Sequence, residues 1–234
     1  MSIEQALAKI AENQPKIYNA GKQKQLKDFW DSFQVNGTKT DYHYAFAGTG
    51  WKEATFKPQH DIITSAYGAY GMFFNNNIGG SLKQMLNNQN VTLDTSAAEH
   101  FTNMFDGSAF TELPTINMIN GIATGYAFSA CSKLVTIEKI ISSERTNWNS
   151  TSFYNCIALT NVVFEGIIAK SITLENSTLL TVDSVVSLFN ALKDLTDTSL
   201  SYAVTLNAVF NSKLSAEQKA IATNKGWTIT FKQV

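Results

Sequence analysis

The chain has 234 residues, of which 44% are apolar and only 16% charged, with a formal net charge of −1. That length and apolar content support a buried core and exclude disorder as the default state. The near-neutral balance supplies no footprint for nucleic acid and no basic face for an acidic membrane. Solubility then falls to the many Asn, Ser and Thr side chains.

The amino-terminal stretch MSIEQALAKIAENQPK has no basic region, long apolar run or small-residue cleavage site, so it does not read as a secretory signal. No stretch reaches the roughly 20 apolar residues that span a bilayer. Ser2 and Gln5 form a helix-start signal, and Ile3, Leu7 and Ile10 line one face of a first helix ending before Pro15. A second helix is predicted near 22–33, with Leu26, Phe29, Trp30 and Phe33 on its apolar face. Residues 1–36 thus read as a helical segment that either caps the first repeat or attaches to a neighbouring chain.

Self-similarity begins downstream. Phe46, Phe73, Phe105, Phe128 and Phe153 anchor five copies of one phrase, spaced by 27, 32, 23 and 25 residues. The two best copies, AFSACSKLVTI and SFYNCIALTNV, each place a cysteine three residues after the Phe, at Cys131 and Cys156. A worn sixth copy, LENSTLLTV, puts Leu174 in the Phe slot and Ser177 in the Cys slot. Segments such as LVTIEKI, LTNVVFE, NVTL and SITL supply the apolar alternation of short strands. The pattern predicts an α/β solenoid over 37–180, in which each copy contributes one short strand and buries its apolar face against the next. The recurring Phe packs under the turn, and the slot three residues on takes Cys, Ser or Thr because it must be small. Cys131 and Cys156 therefore read as inert buried residues one rung apart. Stacked rungs lie close enough that a disulfide is not geometrically excluded, although the lack of a secretory signal argues against one.

Residues 181–234 read as a carboxy-terminal cap. TVDSVVSLFNALKDL puts Val185, Val186, Phe189 and Leu192 on one helical face. Ser215 and Gln218 start a second helix that Gly226 stops, and WTITF is a closing strand.

Chemistry-bearing motifs are sparse. His43, His60 and His100 have no Cys, His or carboxylate at ligand spacing, so no metal site is read. The GTG at 48–50 is too short for a dinucleotide fingerprint. The Asp, Ser, Glu and His of DTSAAEH are neighbours in sequence, whereas a triad converges in space. The expectation is a non-enzymatic protein without cofactor. Binding then falls to aromatics outside the Phe slot: Trp51, Tyr67, Tyr70, Trp148 and Tyr154. A flat ring beside Asn and Ser suits a sugar face or a protein hot spot. Trp148, in the polar run RTNWNST, is the leading one, because no apolar neighbour in sequence claims it.

The phrase AFSACSKLVTI, with its Phe-x-x-Cys-x-x-Leu run, resembles the BspA-like leucine-rich repeat. Both flanks, IAENQPKIYNAGKQKQLKDFWDSFQ and KLSAEQKAIATNKGWTITF, are similar to those of repeat proteins encoded by phages and prophages of gut Firmicutes. The resemblance implies a virion component made in the bacterial cytoplasm, either recognising a host-surface protein or glycan or decorating the capsid. A bacterial surface adhesin is a further alternative. The partners it implies are other virion proteins or a second copy, held through the amino-terminal helices, with no nucleic acid and no membrane insertion.

Overall fold

Phe46, Phe73, Phe105, Phe128 and Phe153 form one buried file of stacked rings. Successive centroids lie 4.9, 5.3, 5.7 and 5.0 Å apart, with interplanar angles between 4° and 17°. The structure, a computed structural model, describes residues 42–48, 51–52 and 56–233. These belong to one compact unit, Lys39–Val234. The helices expected near 2–14 and 22–33 lie outside the described residues.

The backbone around each Phe explains the file. Residues two before the Phe (Tyr44, Gly71, Asn103, Tyr126) and two after it (Gly48, Asn75, Gly107, Ala130, Asn155) all have φ between 48° and 67°. Holding a non-glycine residue there costs on the order of 1 kcal/mol. The conformation turns alternate N–H groups toward the next turn. Tyr44 N bonds Tyr70 O, Phe46 N bonds Met72 O and Gly48 N bonds Phe74 O, at 2.8–3.1 Å. The same three-rung pattern recurs from Gly71, Phe73 and Asn75 to Thr102, Met104 and Asp106. It recurs again from Asn103, Phe105 and Gly107 to Gly125, Ala127 and Ser129. Each turn is thereby held one hydrogen-bonded step from the next, and the rings stack because the backbone sets their spacing.

Small polar side chains are buried between these turns as cross-links. Cys131 and Cys156 donate their thiols to Phe105 O and Phe128 O, at 3.0 and 2.9 Å. Ser177 donates to Cys156 O at 3.0 Å, whereas Asn76, in the same slot, turns back to Phe73 O within its own turn at 2.6 Å. Thr95, Thr124 and Thr146 likewise donate to Asn117 O, Asn147 O and Met118 O. Part of the Ser, Thr and Asn content thus serves the interior rather than the surface, each hydroxyl giving a carbonyl of another turn a partner.

The α/β solenoid expected from sequence is corrected here. The strands do not form one continuous stack; the fold is mixed α/β, with three separate short parallel sheets and few helices. The first pairs β1 (Ile62–Ile63) with β2 (Leu93–Asp94). The second has β5 (Thr136–Ser142) at its centre, flanked on one side by β3 (Glu112–Leu113) and β4 (Ile116–Met118) and on the other by β6 (Asn161–Gly166). The third runs β7 (Ile172–Leu174), β8 (Ala203–Asn207), β9 (Thr228–Lys232).

Two local causes separate the last two sheets. Ser142 O receives Ile167 N just after β6, where Gly166 adopts φ 82°. A Cβ at Gly166 would run into that same Ser142 oxygen, so the strand bends away there. Beyond it, helix α2 (Val182–Ala191) covers the free edge of β6 instead of a further strand. Ser184 Oγ accepts from Val162 N at 3.0 Å, and Ser187 Oγ accepts from Phe164 N at 3.1 Å. The sheet ends because its last row of donors is satisfied by hydroxyls, which also removes an aggregation-prone edge.

Within the central sheet a bulge between Ile137 and Ile140 sets two residues of β5 against one of β6. It interrupts the alternation read from LVTIEKI and turns both Glu138 and Lys139 away from the core. Glu138 pairs with Lys83 at 2.9 Å and Lys139 with Glu165 at 2.6 Å across the outer face.

Four helices are present among the described residues. Helix α1 (Leu82–Gln89), capped by Ser81, buries Leu82, Met85 and Leu86 and is absent from the sequence-based expectation. Helix α2 is capped by Thr181 and buries Ser184, Val185, Leu188, Phe189 and Ala191. The short α3 (Phe210–Lys213) precedes α4 (Ala216–Thr223), whose capping box pairs Ser215 with Gln218 as the sequence predicts. The expected order of two helices and a strand misses β8, the central strand of the third sheet.

Candidate functional site

The five aromatics singled out in the sequence do not converge. None makes a ring contact with another among the described residues. Trp51 is half-buried against Phe46 and Phe56, at 6.2 and 5.4 Å, and serves the core. Tyr70 is half-buried in a cluster with His43 and Tyr44. Trp148 is the clearest departure: it is 2% exposed and stacks on Phe153 at 5.6 Å and 21°, extending the Phe file. Its polar neighbours in sequence face outward or bridge turns, so local polarity gave no warning of its burial.

Tyr67 and Tyr154 do reach solvent, each 56% exposed, and Tyr126 joins them at 47%. Each sits on the outer side of a turn whose inner side carries the Phe file. Tyr67 is braced: its ring lies parallel to that of His100 on the next turn, with centroids 4.2 Å apart and planes 8° from parallel. His100 is held there because its N–H and that of Glu99 both donate to Ala66 O, at 3.1 and 2.8 Å. The sequence shows His100 as an isolated histidine. Its partnership with Tyr67 depends on a register between turns 33 residues apart, which no local pattern encodes.

Ala123 follows in this outward column, bridged in parallel to His100. On the column beside it, Glu99 is followed by Ile122, whose N–H donates to Glu99 O at 2.8 Å. Arg145 reaches back past the rung of Ile122 to within 4.0 Å of Glu99. The corner therefore combines a stacked ring pair, a small residue, and one charge of each sign.

Nothing comparable surrounds the thiols. Cys131 and Cys156 are both free and fully buried. The neighbouring Cys131 thiol, reinforced by burial, pushes the Cys156 thiol well above the ordinary range. That is the reverse of what nucleophilic or metal-binding sulfur needs. Among the described residues no three His, Cys, Asp or Glu side chains are grouped to hold a metal ion, and no helix is long and apolar enough to cross a membrane.

No family model, curated protein or solved structure matches the chain. The functional reading therefore rests on the residues and on this corner of the fold.

Proposed function

We propose that the chain is a non-enzymatic phage virion component that recognises a host-surface protein or glycan through the outward faces of its turns. The observation that carries this is the exposure of Tyr67, Tyr126 and Tyr154 on a framework whose other large rings are mostly enclosed. A tyrosine ring left in water forgoes a sizeable burial gain, and ring faces with a polar tip are the usual anchors of recognition surfaces. The likeness of AFSACSKLVTI and its flanks to phage-encoded repeat proteins supplies the virion setting.

Two measurements test it. Mass spectrometry of purified particles should find the chain at a copy number matching a tail assembly. The triple exchange Y67A, Y126A, Y154A should reduce binding of the purified chain to host cells at least tenfold while leaving its melting temperature unchanged. Unchanged cell binding together with failed particle assembly would favour a decorating role and sink the recognition reading.

A further inference from the structure

We infer that the corner beside His100 is a saccharide site, with a single pyranose ring stacking on the face of the imidazole turned away from Tyr67, above Ala123. The inference rests on the recognition reading and names its ligand class and place.

The column supplies the space. Tyr67 and His100 occupy successive rungs and fill the outward space between them, ring on ring. The next rung holds Ala123, half-buried and without a side chain long enough to cover the imidazole. The turn after that carries Asn147, exposed, positioned by the hydrogen bond from Thr124 Oγ1 to its carbonyl at 2.7 Å. Rungs in a parallel ladder lie about 4.8 Å apart, so the imidazole face turned away from Tyr67 looks onto the Ala123 rung. A methyl on that rung leaves outward room against the imidazole that a larger side chain would fill.

The rim decides what kind of ring. Glu99 and Arg145, 40% and 56% exposed along their side chains, border the gap on its Ile122 side, and Asn147 offers an amide at its far end. Together they present acceptors and donors in a mixture that is neutral overall. A sugar hydroxyl both donates and accepts, so such a rim satisfies it, and the C–H face of a pyranose suits an aromatic face. An aromatic side chain from a protein partner would leave those rim groups without use, and a strongly charged ligand would be opposed by one member of the Glu99–Arg145 pair. The chemistry favours a neutral sugar.

The test uses the full chain and saturation-transfer NMR with the methyl glycosides of glucose, galactose and N-acetylglucosamine at millimolar concentration. Transfer to the ring protons of at least one glycoside is expected, weakened at least fivefold by H100A. It should be abolished by Ala123→Phe, which fills the gap from within. Ala123 is not in the core, so A123F should melt as the wild type does. Y154A, on a distant turn, should bind as the wild type does. Absence of transfer from all three glycosides, or undiminished transfer in A123F, overturns the site. Host-cell binding measured in parallel separates the two readings. Cells bound without any glycoside signal would remove the saccharide site and leave recognition standing. A glycoside signal without cell binding would do the reverse.

Discussion

Ser184 Oγ of helix α2 stands 3.0 Å from Val162 N of strand β6, and three residues on Ser187 Oγ repeats the contact with Phe164 N at 3.1 Å. Spaced i, i+3 on one helical face, the two hydroxyls match alternate donors along the strand edge. Replacing both by Ala leaves two N–H groups at a partly closed edge without partners. The expected loss is about 1–3 kcal/mol of unfolding free energy, read from urea denaturation. Hydrogen exchange at Val162 and Phe164 should accelerate more than at Ile137, on the strand whose two sides are both paired. Unchanged exchange at both amides would show that the helix does not seal the sheet.

The Phe file should be the costliest place to cut. Phe105 lies between Phe73 and Phe128, at 5.3 and 5.7 Å, and also meets Phe110 at 6.3 Å. Phe105→Ala should cost about 3–5 kcal/mol, whereas Tyr154→Ala, on an exposed ring, should fall within about 0.5 kcal/mol of wild type. Comparable costs for the two would mean that the file contributes no more than the outer surface.

Cys131 and Cys156 should be silent toward a thiol reagent in the native state and react only after unfolding. Cys156→Ser should be tolerated, because Ser177 uses the same slot to reach the neighbouring turn's carbonyl, while Cys156→Val should cost about 1–2 kcal/mol by stranding Phe128 O. The raised thiol value has a sign. Above the ordinary thiol range the unfolded chain releases a proton that the folded chain retains. The contribution is therefore fully present below that range and is lost as pH climbs through it toward the folded value. Stability should fall faster with rising alkalinity in the wild type than in C156S. Parallel curves would remove the assignment.

The inside of the turns is legible in the sequence and the assembly of the strands much less so. The Phe slot and the small slot after it are visible because the same backbone conformation recurs and imposes the same size limits, from Phe46 to Cys156. The end of the sheet is hidden: two serines in VDSVVSLFNA read as ordinary helix surface until β6 is placed against them. The bulge at Glu138 and Lys139 is hidden likewise, since an extra residue looks like faulty alternation. Helix α1 carries a readable signal, Ser81 before the spacing of Leu82, Met85 and Leu86, but it lies inside a repeat whose pattern masks it. At the candidate site Tyr67 is visible as a residue outside the Phe slot. His100 and Ala123 gain meaning only from the register between turns, which is a long-range property.

Lys225 ties the carboxy-terminal elements together. Its ammonium donates to Phe189 O, Asn190 O and Leu192 O at 3.2, 2.7 and 2.9 Å, gathering carbonyls at the end of helix α2, of which Phe189 O also accepts from Leu192 N. In return its own carbonyl receives Leu195 N at 2.9 Å. Two effects oppose each other here. Partial burial holds the lysine below its usual value, with Asp194 acting against it, so the site disfavours the charge to some degree. Three donor contacts at the negative end of the helix dipole favour it. The contacts should win, because Met at this position keeps the aliphatic stem but leaves three carbonyls with fewer partners. Lys225→Met is therefore expected to lose about 1–2 kcal/mol, measured by urea unfolding near neutral pH. Lys225→Arg, which keeps the charge, should recover part of that loss. A K225M chain as stable as the wild type would mean that burial of the charge cancels what its hydrogen bonds supply.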